Sequence, residues 1–182
     1  MAAIVAGDIL VKFTTTAGAA GNSTVNTTVG TFLGKYASSS NWAGGGTNDL
    51  FPDITGAQNA ASQVDYAGLA VHNSNAANAY QNAVAYISSE VAGGASIALG
   101  ADTTAASAVG SATAQLLTIA NSTTAPAGVT FTSPTTAASG VALGSIPTGN
   151  VKGLWVRRTA SNTAALSNDG FTLGLSGDTG SL

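Results

Sequence analysis

The pattern of apolar and polar positions is most informative near the end of the chain, above all in Val151-Lys152-Gly153-Leu154-Trp155-Val156-Arg157-Arg158. Successive side chains of an extended chain point to opposite faces, so Leu154 and Val156 share one face and Val151 and Trp155 the other. A strand apolar on both faces is expected in the middle of a sheet, covered from both sides. Ile146-Pro147-Thr148-Gly149-Asn150 before it predicts a turn, because Pro and Gly preset the dihedrals of a reversal. Ser167-Asn168-Asp169-Gly170 predicts a tight turn into a second strand, Phe171 to Leu175. In that strand Phe171, Leu173 and Leu175 point inward, and Thr172, Gly174 and Ser176 outward.

The same pattern recurs less cleanly upstream. Ile9 to Phe13 predicts a strand, Gly18 to Thr28 is a Gly/Ser/Thr/Asn tract, and Asn41 to Asn48 predicts a loop around Gly44-Gly45-Gly46. Residues 1–48 are therefore expected as an N-terminal strand with an extended arm, draped over a neighbouring subunit or lying as a long surface loop. Residues 49–182 are expected as the main domain. Within it Val64 to Val71 alternates in part, and His72-Asn73-Ser74-Asn75 predicts a polar turn. Tyr80 to Ile87 places Val84 and Tyr86 on one face and Ala85 and Ile87 on the other. Gly93-Gly94 breaks the chain before Ile97 and Leu99, and Leu116 to Ile119, Val129 to Phe131 and Val141 to Leu143 are further short strand candidates. Short strands at a spacing of roughly 8–12 residues, separated by Gly, Pro and Asn, indicate an all-β fold. The expectation is an antiparallel two-sheet β-sandwich or jelly roll with an extended N-terminal arm. Alanine-rich Ala105 to Ala120 competes as a helix, but its Thr and Ser content and Gly110 weigh against that. The motif Thr103-Thr104-Ala105 recurs at Thr123 and Thr135 with unequal offsets, so it marks no solenoid.

Composition narrows the partners. A length of 182 residues suits one domain with an appendage, or two very small ones. Much of the hydrophobic fraction of 45% is alanine; large aliphatics and phenylalanine make up roughly a fifth of the chain, low for a folded domain. Only 7% of residues are charged, five Lys and Arg against eight Asp and Glu. Without a basic stripe to neutralise phosphates, nucleic acid is not an expected partner. A surface of Ala, Ser, Thr, Gly and Asn loses little side-chain entropy on ordering, which suits a subunit packed in an assembly. Cysteine is absent, which removes thiolate chemistry and disulfides. Met1 to Asp8 lacks the basic start of an export signal, and no apolar run approaches the ~18 residues of a membrane-spanning helix, so no membrane partner is expected.

Candidate chemistry is sparse. His72 is the sole histidine and could orient a serine, but no Gly-x-Ser-x-Gly elbow occurs. Asp49, Asp53, Asp169 and Asp178 could supply calcium oxygens, but without EF-hand spacing they read as turn residues. Glu90 is the only glutamate, so an acid–base pair for glycoside hydrolysis would need turn aspartates. Trp42, Trp155, Tyr36 and Tyr80 could form a sugar-stacking platform, although Trp155 reads better as core and Trp42 stands alone in a glycine-rich loop. Arg157 and Arg158 are expected to pair with Asp169 or Asp178, or with a neighbouring subunit. Asn22, Asn26 and Asn121 begin glycosylation-type tripeptides, which are frequent in Asn/Thr-rich chains. No catalytic, cofactor or metal residue is assigned, and no enzymatic activity is expected.

Several segments resemble a group of small structural proteins of tailed bacteriophage particles. They are Leu50-Phe51-Pro52-Asp53-Ile54-Thr55-Gly56, Asn82-Ala83-Val84-Ala85-Tyr86-Ile87, Thr123-Thr124-Ala125-Pro126-Ala127-Gly128-Val129 and, above all, Trp155-Val156-Arg157-Arg158-Thr159 with Asn168-Asp169-Gly170-Phe171-Thr172-Leu173 and Gly177-Asp178-Thr179. The resemblance runs from about Leu33 to Thr179. Ala67-Gly68 after Tyr66 departs from it, since bulkier residues are expected there. What it implies is a virion component made in the host cytoplasm: a capsid decoration (cement) protein bridging the major capsid protein, as a homo-oligomer and by expectation a homotrimer. A tail, baseplate or fibre part is the alternative within the particle, and a carbohydrate-binding β-sandwich module is the alternative outside it.

Overall fold

The strand-forming runs pair into two stacked antiparallel sheets in the computed structural model, which describes residues 3–18, 23–164, 166 and 168–180. The larger sheet carries, in spatial order, β2 (Tyr36–Asn41), β1 (Ile9–Thr15), β3 (Val64–Asn73), β8 (Asn150–Thr159) and β5 (Ser96–Ala101). The two-residue β6 (Ser107–Ala108) also pairs with β8. The smaller sheet is β7 (Val141–Ile146), β4 (Ala79–Glu90) and β9 (Phe171–Gly180). The all-β sandwich expected from the strand pattern is thus the observed architecture.

Strand β8 is central, between β3 and β5, and both of its faces are covered: Val151, Leu154, Trp155 and Val156 are fully buried. Leu154 and Val156 face the smaller sheet, opposite Leu69 and Ala67 on β3, and join a core that includes Phe13, Leu99, Ala85, Ile87 and Ile146. Phe171, Leu173 and Leu175 pack against this core from β9, on the side expected for them. Trp155 belongs to the opposite face, away from the smaller sheet. There the segment between β5 and β7 covers it, with Leu116 packing beside Val151, Ala37 and Ala70.

Some local expectations meet a different geometry. Asn168-Asp169-Gly170 does not close a hairpin onto β8 (Ser167 lies outside the described residues). β8 already has a neighbour on each edge, so the chain crosses to the smaller sheet, where β9 pairs with β4. Leu116 to Ile119 and Val129 to Phe131 form no strands; the first contributes an isolated bridge, Thr118 with Gly34, and the residue after the second, Thr132, bridges Leu99. Ala105 to Ala120 forms no helix and contains only β6. The one α-helix among the described residues, α1 (Gly56–Ala60), was not anticipated; Thr55 and Gln58 cap it reciprocally.

The described part of residues 1–48 is folded into the domain. It supplies β1 and β2, and Phe13 and Phe32 stack at 4.3 Å between ring centroids within the core. Asn26 Nδ2 donates to the Thr14 carbonyl, tying part of the Gly/Ser/Thr/Asn tract to β1. Ala67-Gly68 does not disturb strand pairing, since β3 pairs with β8 continuously from Val64 to His72. A Cβ on Gly68 would lie 3.1 Å from Thr14 Oγ1 and 3.3 Å from Trp155 Cη2, so the position is small because the indole lies over it.

Candidate functional site

Three connections meet at one end of the sandwich: residues 42–54, residues 93–97 and the described part of 158–171. The first is anchored at its base by Trp42, whose Nε1 donates to Asp49 Oδ2 at 2.9 Å; Gly46 N donates to the same oxygen. The turn between them is possible because Gly44 and Gly45 adopt positive φ (69° and 80°), where a Cβ would be strained. The Trp42 ring meets that of Phe171 at 5.9 Å between centroids, tilted by 33°. Both pack against the end of the main core while remaining partly exposed. Asp169 is fixed by accepting from Ala95 N at 2.8 Å, and Asp53 is exposed on the rim.

Arg158 lies at the side of this space. Asp65 sits directly opposite it across the β3–β8 ladder, and Arg158 Nη2 donates to Asp65 Oδ2 at 2.8 Å. Nη1 donates to the Pro52 carbonyl, and the guanidinium lies 4.7 Å from the Phe51 ring centroid. Asp65 is 1% exposed, so this pair is largely desolvated and removal of either partner would strand a buried charge. The pairing expected with Asp169 or Asp178 is therefore replaced by one within the ladder. Arg157 instead stacks over Phe131, 5.3 Å from its centroid. The three connections enclose a cleft of about 940 Å³ with Trp42, Phe51, Phe171, Asp49, Asp53 and Arg158 among its walls.

The other candidates are dispersed. His72 lies on the outer face of the larger sheet, paired with Leu10 and Val151, and its Nδ1 is buried without a hydrogen-bond partner among the described residues. Burial, and then the positive charge of Lys12, hold its pKa below the ordinary value. Asp178 accepts from Asn82 Nδ2 at the far end of β9 from Asp169. Among the described residues no three His, Cys, Asp or Glu side chains are grouped as a metal would require. Glu90 accepts from Ile97 N. The four aromatics do not make one platform: Trp155 and Tyr80 are buried, and Tyr36 donates to the Ala112 carbonyl beneath the outer segment. Trp42 is not isolated, however, since the fold brings Phe171 to it. Asn26 and Asn121 use their side chains in local turns, and Asn22 lies outside the described residues.

One organising residue gave no signal in the reading of candidate sites. Asp102, 2% exposed, accepts from Trp155 Nε1 at 2.6 Å and Leu117 N at 2.9 Å through Oδ2, and from Thr104 N at 2.7 Å through Oδ1. Its carbonyl also accepts from Lys152 Nζ at 2.6 Å. The only local hint was Asp-Thr-Thr directly after a strand, an Asx-turn signature.

The charges are distributed unevenly. Lys12 is buried, and Lys35, Lys152, Arg157 and Arg158 are half-buried, whereas the exposed charges are all acidic: Asp53, Glu90, Asp169 and Asp178. No protein-family model, curated protein or solved structure matches the chain.

Proposed function

We propose that the protein is a structural subunit of a tailed-bacteriophage particle, a capsid decoration protein that bridges and stabilises coat subunits without catalysis or cofactor. The observation that carries this reading is the surface. The cations are drawn inward, and the outside is built mainly of small Ala, Gly, Ser, Thr and Asn side chains with four exposed carboxylates. Such a surface has no electrostatic footprint for nucleic acid. It orders against a neighbour at low entropic cost, because short side chains have few rotamers to lose. The expectation drawn from the segment around Trp155 to Thr159, that it resembles virion structural proteins, points the same way.

The mechanism is mass action. A protein that binds only the assembled shell shifts the disassembly equilibrium toward the shell. Subunits associated as trimers, each touching more than one coat subunit, gain from effective concentration even when each contact is weak. With few charges available, the contacts are apolar and hydrogen-bonded, so moderate salt leaves the protein on the particle. The test is to prepare particles lacking this protein and compare their resistance to heat with that of complete ones. Loss of resistance is expected. Equal resistance removes the cement role, and recovery of the protein only with isolated tails transfers it to a tail, baseplate or fibre.

A further inference from the structure

The end cleft has a chemistry that bridging does not require. We propose that it binds an uncharged saccharide, through the partly exposed faces of Trp42 and Phe171 and the carboxylates of Asp49, Asp53 and Asp169. This inference does not rest on the capsid reading; it concerns what the isolated domain can hold.

The size is right for a small ligand: about 940 Å³ lies within the range of ~300–1,000 Å³ typical of such sites. The aromatic pair supplies the apolar part. Two rings 5.9 Å apart and tilted by 33° present a shallow, angled wall rather than a flat stack. The C–H bonds of a sugar ring carry slight positive charge and pack favourably on the negative face of an aromatic ring. The carboxylates supply the polar part, and they are held in place. Among the described residues both hydrogen bonds of Asp49 use Oδ2, which leaves its Oδ1 for a ligand hydroxyl, while the Asp169 carboxylate accepts from Ala95 N and lies against Gly94. Asp53 adds an exposed acceptor. Hydroxyls donate well to carboxylates, and such charge-assisted bonds are the stronger kind.

Charge excludes an anionic ligand. Three carboxylates line the cleft against one guanidinium, and that guanidinium is already spent on Asp65 and the Pro52 carbonyl. A phosphate, sulfate or sialic acid would meet repulsion without a free cation to offset it. The same three carboxylates would attract a cationic ligand, so the preference for a neutral polyol rests on the aromatic wall, and the lysine-rich peptide control tests it. A neutral polyol satisfies both kinds of wall.

The experiment titrates the full chain, isotope-labelled for NMR, with maltotriose, cellotriose, chitotriose and mannotriose. A sialylated trisaccharide and a lysine-rich peptide serve as charged controls. Saturable shifts confined to Trp42, Phe171 and their neighbours with at least one neutral trisaccharide are expected, and none with the controls. Trp42→Ala is expected to weaken that binding about tenfold or more, equivalent to ~1.4 kcal/mol. Because Trp42 also closes the core, Asp53→Asn, at an exposed position, provides a second variant with several-fold weaker binding and an unchanged thermal midpoint. Asp178→Asn, at the other end of β9, is expected to change nothing. The proposal is overturned if no neutral trisaccharide gives saturable shifts, if the shifts map elsewhere, if a charged control binds more tightly, or if both cleft variants bind as the parent does. None of these outcomes bears on where the protein sits in a particle, so the two readings fail separately.

Discussion

On its inner face the larger sheet meets its partner with volume: Phe13, Leu69, Leu99 and Leu154 reach toward Ala85, Ile87 and Ile146. On its outer face the same strands carry glycine around a single tryptophan. Gly68 and Gly100 lie directly across from Trp155 on the two neighbouring strands, and Gly153 is two residues before it. A Cβ on Gly100 would fall 2.5 Å from Val129 Cγ1, and one on Gly153 would fall 2.6 Å from Leu116 Cγ. The inner face is thus stabilised by side chains that are present, and the outer face by side chains that are missing, which lets an irregular segment approach the sheet backbone. An irregular segment cannot satisfy its own backbone as a strand does, so the outer face also needs a buried acceptor. Asp102 is that acceptor.

Trp155→Ala is expected to produce the largest effect, about 3–5 kcal/mol, because it empties a large volume and leaves the Asp102 carboxylate short of a donor. Leu69→Ala, its counterpart on the inner face, is expected to cost about 2–5 kcal/mol from the cavity alone. Urea denaturation of both variants measures the difference. If the inner variant proves the more damaging, the outer segment is a cover rather than a second core.

Asp102→Ala comes next. It would orphan the Trp155 indole N–H and the amides of Leu117 and Thr104, each worth ~1–3 kcal/mol when left buried and unpaired. A total near 3 kcal/mol is expected, since local relaxation admits water to some of them. Asp102→Asn keeps one acceptor oxygen and is expected to cost less. Equal losses would show that charge, not acceptor geometry, holds the segment down.

Gly100→Ala is expected to cost about 1–3 kcal/mol, because one added methyl meets Val129 and the Thr130 carbonyl and forces the segment outward. A neutral result in thermal unfolding would mean that the segment yields freely.

This contrast also explains what the sequence made legible. Alternation reports a face filled with side chains, so Leu154, Val156, Leu173 and Leu175 could be placed correctly from their spacing alone. Trp155 could be placed on the opposite face and read as covered, but not by what, because nothing local shows that an irregular segment will cover it. The hairpin expected after β8 failed for a nonlocal reason: strand count on each edge is a property of the whole sheet. Helix α1 was foreshadowed by Thr55 and Gln58, but five residues carry too little periodicity to register beside the strands. At the end cleft, Trp42 and Phe171 are far apart in sequence, so only the pairing of β9 with β4 brings the second ring to the first.

The smallest expected effect is on pH dependence, and it lies at the outer face. His72 shares that face with Trp155, Val151 and Lys12, and both burial and the Lys12 ammonium disfavour its protonated form. Its folded-state pKa is therefore below the ordinary 6.5 of the unfolded chain. As pH falls through 6.5 the unfolded chain takes up the proton first, so stability declines from there down to the folded-state pKa and is constant below it. His72 is the only histidine, the one side-chain type whose unperturbed pKa falls in this window. Denaturation midpoints compared at about pH 7.5 and about pH 5 are expected to fall slightly in the parent and to stay level in His72→Gln. A parent that is equally stable at both values, or a variant with the same decline, would place the His72 ring in open solvent and remove this part of the outer face from the packed structure.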